Sequence, residues 1–214
     1  LLLGALGALA ARDLRMLVAW LVIGSAGTLL TALALGTADA TAAALFYMPH
    51  STFAAGAAFL VVELIARARA GAAEPQPEHY LVASLQPVRG AAVTGTLFFV
   101  IAVVIAGLPP GSGFIGKALL LDAAQGNSAQ PWIWAAILAA GLITLVALAR
   151  TASAVFWKPA AAPAGVDATA PAIAGSPGLR LATAWLVACG IAMVLLARPL
   201  RDFALQAVRA LGGP

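Results

Sequence analysis

The sequence predicts an all-α, polytopic membrane protein, and three observations carry that prediction. Of 214 residues, 63% are hydrophobic and only 9% are charged, with a mean hydropathy of +1.00. Water-soluble domains carry roughly 25% charged residues, so this chain has too few to cover a water-facing surface. The apolar residues also collect into five runs long enough for helices that cross a hydrocarbon core, which takes about 20 residues. These runs do not alternate, and they far exceed the roughly 9–11 residues of a membrane β-strand. The expected architecture is about five complete transmembrane helices plus the end of a sixth, with one helix discontinuous in mid-membrane. The net charge of +4 is then a matter of loop asymmetry rather than a nucleic-acid signal. Cys189 is the single cysteine, which excludes an intrachain disulfide and a cysteine-rich metal site.

The chain opens on Leu1-Leu2-Leu3-Gly4, already apolar, with no basic leader region and no cleavage pattern. Leu1–Ala11 reads as the last part of a span that begins upstream, so a C-terminal piece of a longer protein is expected. The first complete span is Leu14–Leu35, introduced by Arg12-Asp13-Leu14-Arg15, and the second is Thr41–Ala66, closed by Arg67 and Arg69. A hydrophilic loop follows over Gly71–Gln86. The third span, Ala91–Ala124, is interrupted by Gly107-Leu108-Pro109-Pro110-Gly111-Ser112-Gly113 and carries Lys117 just beyond. The fourth is Pro131–Ala149 and the fifth Leu179–Ala197, separated by a Pro/Ala/Gly-rich stretch over 159–178 whose composition favours disorder. Beyond the last span, Leu200, Phe203, Ala204, Ala207, Val208 and Leu211 share one helical face, while Arg201, Asp202 and Arg209 lie off it. That pattern suits a short interfacial helix. Trp132, Trp134, Trp157 and Tyr80 fall near span ends, as an aromatic belt requires.

Counting charges along alternating crossings puts Arg12, Arg15, Arg67, Arg69, Arg89, Arg150, Lys158 and Arg180 on one side and Arg198, Arg201 and Arg209 on the other. The richer side is expected to be cytoplasmic. The sorting works only if the interrupted stretch crosses once. As a hairpin it would move Arg150, Lys158 and Arg180 across and abolish the asymmetry.

Irregular backbone at membrane depth is tolerated only where protein buries it or a cavity solvates it, and an ionisable residue there is by default functional. Lys117 is therefore the first candidate for an ion path. The carbonyl end of the half-helix before the break favours its charge, and the amide end of the half-helix after it disfavours it. His50, in Tyr47-Met48-Pro49-His50-Ser51-Thr52, is the second, because imidazole passes protons near neutral pH. Pro49 frees a backbone carbonyl there. Ser25, Thr28, Ser51 and Thr52 supply hydroxyls for a polar lining, and Thr31 shares the helical spacing of the first two. Glu63 either joins that lining or forms a surface i,i+4 pair with Arg67. Asp122 is an exit-side carboxylate or an ordinary loop charge. Gly107, Pro109, Pro110, Gly111 and Gly113 form the hinge. No cluster of metal ligands occurs, the G-x-G-x-x-G spacing at Gly111–Gly116 lacks βαβ context, and no nucleophile–base–acid set is present. A transporter subunit with no cofactor, rather than an enzyme, is the expectation.

Gly107-Leu108-Pro109-Pro110-Gly111-Ser112-Gly113-Phe114-Ile115-Gly116-Lys117 resembles the GLPPLSGFxGK motif of the antiporter-like subunits shared by respiratory complex I and Mrp-type cation/proton antiporters. Asp13-Leu14-Arg15 resembles the DLKRLLAYSS segment of that family, and His50 matches the histidine of its HAxxKALLFL segment. His50-Ser51-Thr52 with Ala58-Phe59-Leu60, and Pro131-Trp132-Ile133-Trp134-Ala135 with Ala147-Leu148-Ala149-Arg150, are most similar to the D-type subunits of Mrp antiporters. The resemblance implies that 1–158 is the C-terminal part of a proton-translocating membrane domain, with 179–214 as the last helix and tail. It further implies a discontinuous helix at the motif, a proton path through Lys117 and His50, exchange of protons for Na+ or K+, other membrane subunits as partners, and a bacterial inner-membrane location. Two alternatives remain: a proton-pumping subunit of complex I or a membrane-bound hydrogenase, and a non-transporting assembly subunit. Where the family commonly has a lysine four or five residues after this histidine, Ala54 and Ala55 stand here.

Overall fold

The helix boundaries follow from local chemistry at the ends of the apolar runs. A computed structural model describes residues 1–71, 73–84, 86–157 and 177–210. They form α1 (Leu2–Ala10), α2 (Leu14–Ala34), α3 (Ala38–Ala70), α4 (Ala91–Ala106), α5 (Ser112–Ala123), α6 (Gln130–Ala152), α7 (Pro177–Leu195) and α8 (Ala197–Ala210). A 3₁₀ turn lies at Pro77–Tyr80 and a π turn at Ser153–Trp157. Asp13 starts α2 by accepting hydrogen bonds from the N–H groups of Arg15 (2.7 Å) and Met16 (3.2 Å), and Thr37 starts α3 by accepting from Ala40 N–H. Each satisfies amide donors that a helix start leaves unpaired. Four helices are long and apolar enough to cross a membrane, with α4 a shorter apolar helix. Strand structure among the described residues is limited to one bridge between Asp13 and Leu81.

α3 runs past the expected Thr41–Ala66 at both ends, because its caps and arginines extend it. Arg67 Nε donates to Glu63 at 2.8 Å, and the buried Arg69 donates to the carbonyls of His79 (2.8 Å) and Leu81 (2.6 Å). Arg69 thereby holds the loop that follows against the helix end, and Val82 N–H adds a bond to the Arg12 carbonyl. Tyr80 is not a belt residue facing lipid, as its position near a span end suggested. It is buried, donates to Glu63 at 2.7 Å, and lies 3.3 Å beneath the Arg15 guanidinium. Burial, with the Glu63 carboxylate beside it, pushes the Tyr80 hydroxyl above its usual range and keeps it a donor. Trp132 and Trp157 do face outward, whereas Trp134 turns in to donate to the Leu121 carbonyl.

The interrupted span is one crossing. Along α3, in reverse order, Ala68 bonds Arg89, Ala58 and Val61 meet Phe98 and Ile101, His50 meets Ser112, and Ala42 meets Leu119 and Asp122. Along α6 and the π turn that follows it, also in reverse, Phe156 packs on Phe98 with ring centroids 5.7 Å apart, Gly141 lies by the Ala106 carbonyl, and Trp134 bonds Leu121. Two independent neighbours thus read α4 and α5 as successive halves of one path, and a hairpin fits neither. The same packing gathers Arg15, Arg67, Arg69, Arg89 and Arg150 at one end of the bundle, with Arg150 reaching the carbonyls of Leu9 and Ala11. Asp39, Asp122 and Arg201 share a small cleft at the other.

α8 packs on α3 and buries Ala204 and Val208, in line with the amphipathic pattern, but Phe203 is 69% exposed and stands off the buried face. Of the Pro/Ala/Gly-rich stretch expected over 159–178, only Pro177 and Gly178 are described, and they begin α7. Lys158 and Leu211 lie outside the described residues.

Because Glu63 accepts from both Arg67 and Tyr80 and lies 3.7 Å from Arg15, Glu63→Ala should cost about 1–2 kcal/mol. Asp122, bonded to Gln125 on the surface, should cost about 0.5 kcal/mol or less when replaced by Ala. Thermal unfolding of the two variants in detergent checks the contrast.

Candidate functional site

The break is a place where backbone acceptors lose their donors. In an uninterrupted helix the N–H of residue 109 would serve the Ile105 carbonyl, and that of residue 110 would serve Ala106. Both positions are proline, which has no N–H. Gly107 closes α4 in the left-handed conformation with φ +80°. Its N–H and that of Leu108 turn back to the carbonyls of Val104 (3.3 Å) and Val103 (3.1 Å). That leaves Ile105 and Ala106 unserved at membrane depth, where such groups are costly. Lys117 supplies what is missing: its Nζ donates to Ala106 at 2.8 Å and to Ile105 at 3.4 Å. The side chain starts one turn into α5 and returns to the end of α4, so its ammonium sits at the break. The carbonyl end holds it, as a helix C-terminus holds a cation.

Two glycines make the approach possible. A Cβ on Gly107 would come within 2.8 Å of Cδ and Nζ of Lys117. A Cβ on Gly113 would overlap the Val104 carbonyl and stand 2.9 Å from Cε1 and Nε2 of His50. The imidazole therefore lies against the first turn of α5, where its Nδ1 is 2.9 Å from Ser112 Oγ. His50 is 3% exposed and Ser112 1%. Tyr47, one turn earlier on α3, packs its ring 5.1 Å from the imidazole.

His50 and Lys117 line the same cavity, of about 50 Å³, together with Ser25 and Thr28 of α2, Tyr47 and Ser51 of α3, and Thr144 of α6. This space holds roughly three waters and has the polar partners they need. Ala54 and Ala55 also border it, so the space that a longer basic side chain would occupy stays open. On its other side Lys117 borders an apolar groove of about 290 Å³, walled by Leu108, Phe114, Leu138, Leu142 and Leu145. The lysine thus stands between a small cavity that gathers polar side chains from several helices and an apolar groove on its other side.

Of the residues singled out in the sequence, the structure brings Lys117, His50, Ser25, Thr28, Ser51 and the glycine/proline break together. Thr52 does not join them, since it is not among the residues lining the cavity; its hydroxyl donates to the Met48 carbonyl, as does that of Ser51. Thr31 bonds the Gly27 carbonyl, away from the cavity. Glu63 belongs to the arginine-rich end, and Asp122 to the opposite end. Both lie off the cavity because helical phase and depth place them there. Sequence reasoning missed Tyr47, Ser112 and Thr144. Tyr47 is legible in hindsight, three residues from His50 on the same helical face. Ser112 sits inside the break motif, but nothing local marks Thr144. No group of three or more His, Cys, Asp or Glu side chains suited to a metal occurs among the described residues.

With this geometry, comparison with known proteins is informative. Residues 1–145 match the family model for the transmembrane region of NADH:quinone oxidoreductase and Mrp antiporters. The chain belongs to that family. It is accordingly a multi-pass membrane protein. Its relatives include a probable K(+)/H(+) antiporter D-type subunit of Rhizobium meliloti, 32% identical over 79% of this chain and 34% of that protein. The N-type subunit of NADH-quinone oxidoreductase from a Parafrankia species is 29% identical over 97% of this chain and 37% of that protein. A chain in the structure of the Mrp complex from Dietzia sp. DQ12-45-1b shares the fold, with a TM-score of 0.69 at 20% identity over 95% of this chain and 44% of that one. The chain therefore spans about a third of the length of these two sequence relatives.

The tightness around Gly113 gives a test of the site. Gly113→Ala should cost about 1–3 kcal/mol through overpacking against Val104 and His50. Gly178→Ala, where a Cβ meets nothing within 4 Å, should stay within about 0.5 kcal/mol of wild type. Thermal midpoints of the two variants, measured side by side, decide it.

Proposed function

We propose that this chain is the C-terminal part of a membrane subunit of a multisubunit monovalent cation/proton antiporter, and that protons pass through Lys117 with His50 as relay. The observation that carries this reading is that a lysine and a histidine from different helices line one cavity at a broken helix, together with several hydroxyl side chains. Lys117 is held by two carbonyls that have no other donor from the chain that follows. The likeness to a D-type antiporter subunit supports the antiporter assignment. An ammonium gripped by carbonyls keeps its proton. Once it swings away into the cavity it exchanges that proton with water or with the imidazole, and hydroxyls of Thr28, Ser25 and Ser51 bridge the remaining path. The exchanged cation is Na+ or K+, the partners are other membrane subunits, and no redox cofactor is required of this chain.

A second reading has its own support. The likeness to an N-type subunit of NADH-quinone oxidoreductase runs over 97% of the chain, and a redox-driven proton pump would use the same lysine. Neighbouring genes separate the two: small antiporter subunits for the first, quinone-reductase subunits for the second. In a third, assembly-only role, Lys117 would be a packing device.

In the full-length subunit within its complex, Lys117→Ala should reduce proton-coupled cation exchange by at least about 100-fold, with assembly intact on a native gel. Normal exchange by an assembled Lys117→Ala complex would sink the proposal. His50→Ala should alter the pH dependence of exchange, and an unaltered dependence would demote His50 to packing. We also assign the arginine-rich end, with Arg12, Arg67, Arg89, Arg150 and Arg180, to the cytoplasm of a bacterial inner membrane on the strength of the charge bias. In a Cys189→Ser background, a cysteine placed at Ala73 should react with an impermeant maleimide only in inside-out vesicles.

A further inference from the structure

The His50–Ser112 pair has features that the path itself does not require. It is a buried side-chain hydrogen bond that ties α3 directly to the first residue of α5. The ring reaches Ser112 because residue 113 is glycine, so the slot and the hydroxyl at its end are built by adjacent positions of the break. We propose that Ser112 is a positioning residue for proton transfer: its hydroxyl fixes the His50 ring by Nδ1 and serves that nitrogen in both protonation states. This rests on the reading of Lys117 and His50 as a proton path.

A hydroxyl suits the task because it donates and accepts by rotation alone. Towards neutral imidazole with its proton on Nε2, Ser112 donates to Nδ1. Towards imidazolium, whose two nitrogens are both donors, the same oxygen accepts from Nδ1–H. No heavy atom moves between the two states, and Nε2, which lies beside Gly113, is the nitrogen left free of Ser112 to exchange its proton. The proton balance is simple: His50 takes a proton at Nε2 from cavity water or Lys117 and releases it there, and Ser112 neither gains nor loses one.

The surroundings leave Ser112 as the fixed partner. The titratable side chains lining the cavity with His50 are Tyr47, from its own helix, and Lys117, from α5. α2 and α6 contribute Ser25, Thr28 and Thr144, none of which titrates in this range. On the far side of the ring, α4 and α7 offer apolar residues such as Val104, Phe99, Leu186 and Val187, together with Gly190, around a cleft of about 340 Å³. Ser112 borders that cleft, and threonine keeps its hydroxyl while adding a single methyl group.

The test is the pH profile of proton-coupled exchange by the assembled full-length complex, read for Ser112→Ala, Ser112→Thr and Lys117→Ala. Ser112→Ala should displace the profile by about half a unit or more. Ser112→Thr, which keeps the hydroxyl, should restore the wild-type profile. If the alanine complex does not accumulate, Ser112→Cys, a weaker donor and acceptor of similar size, carries the same expectation as alanine. A wild-type profile in Ser112→Ala or Ser112→Cys, or an equal displacement in Ser112→Thr, overturns the proposal for Ser112. Exchange that survives in Lys117→Ala instead overturns the underlying path, so the two failures are distinguishable.

Discussion

Two backbone carbonyls without amide donors are the constraint around which this bundle is arranged. Pro109 and Pro110 remove the N–H groups that would serve Ile105 and Ala106. In water the exposed oxygens would be solvated at little cost, but inside a bilayer they must be met from within the protein. Lys117 meets both. The position of the lysine follows: one turn into the next half-helix is about as far as a four-carbon stem can start and still return to the break. Gly107 follows as well, since any side chain there would lie in the path of the lysine. A charged group at membrane depth is thus explained first as the answer to a hydrogen-bonding deficit, and its availability for transport is a consequence of how few partners hold it.

The neighbouring helices are shaped by the same place. α3 is among the most buried of the long helices, and it passes the break with Tyr47 and His50 turned toward α5. α6 passes on the other side and lends Gly141 and Thr144. Both run antiparallel to the joined pair α4–α5, which keeps the two half-helices in line even though no continuous hydrogen-bond ladder connects them. The polar cavity is what remains where small residues, Ala54 and Ala55 among them, fail to fill the space around the lysine and the histidine.

Much of this was legible in the chain. The length of the apolar runs fixed the number of crossings, and the charge asymmetry already required the interrupted run to cross once, as the packing against α3 and α6 bears out. The lysine and the break were visible because proline, glycine and a charge are rare in such surroundings. The hydroxyls were harder to read. Thr28 and Thr52 look equivalent in sequence and both back-bond their own helices, yet only Thr28 borders the cavity, a matter of helical phase that nearly uniform hydrophobicity does not reveal. In a helix apolar on all sides there is no moment to read, and Thr144 is invisible for the same reason. Tyr80 misled for a different cause: an aromatic near a span end has the composition of a belt residue, but a carboxylate and a guanidinium nearby gave it a buried berth instead.

The loop after α3 shows what it means to be held by the backbone. Arg69 grips the carbonyls of His79 and Leu81, and Val82 adds a main-chain bond to Arg12. None of these contacts reads the side chains of the loop itself. The route of the segment is therefore set by the end of the preceding helix, through Arg69 on its backbone and Glu63 on the Tyr80 side chain, while Glu74 and Glu78 stay exposed. The course of such a loop is thus encoded largely outside it, in the side chains of the helix end it folds back onto.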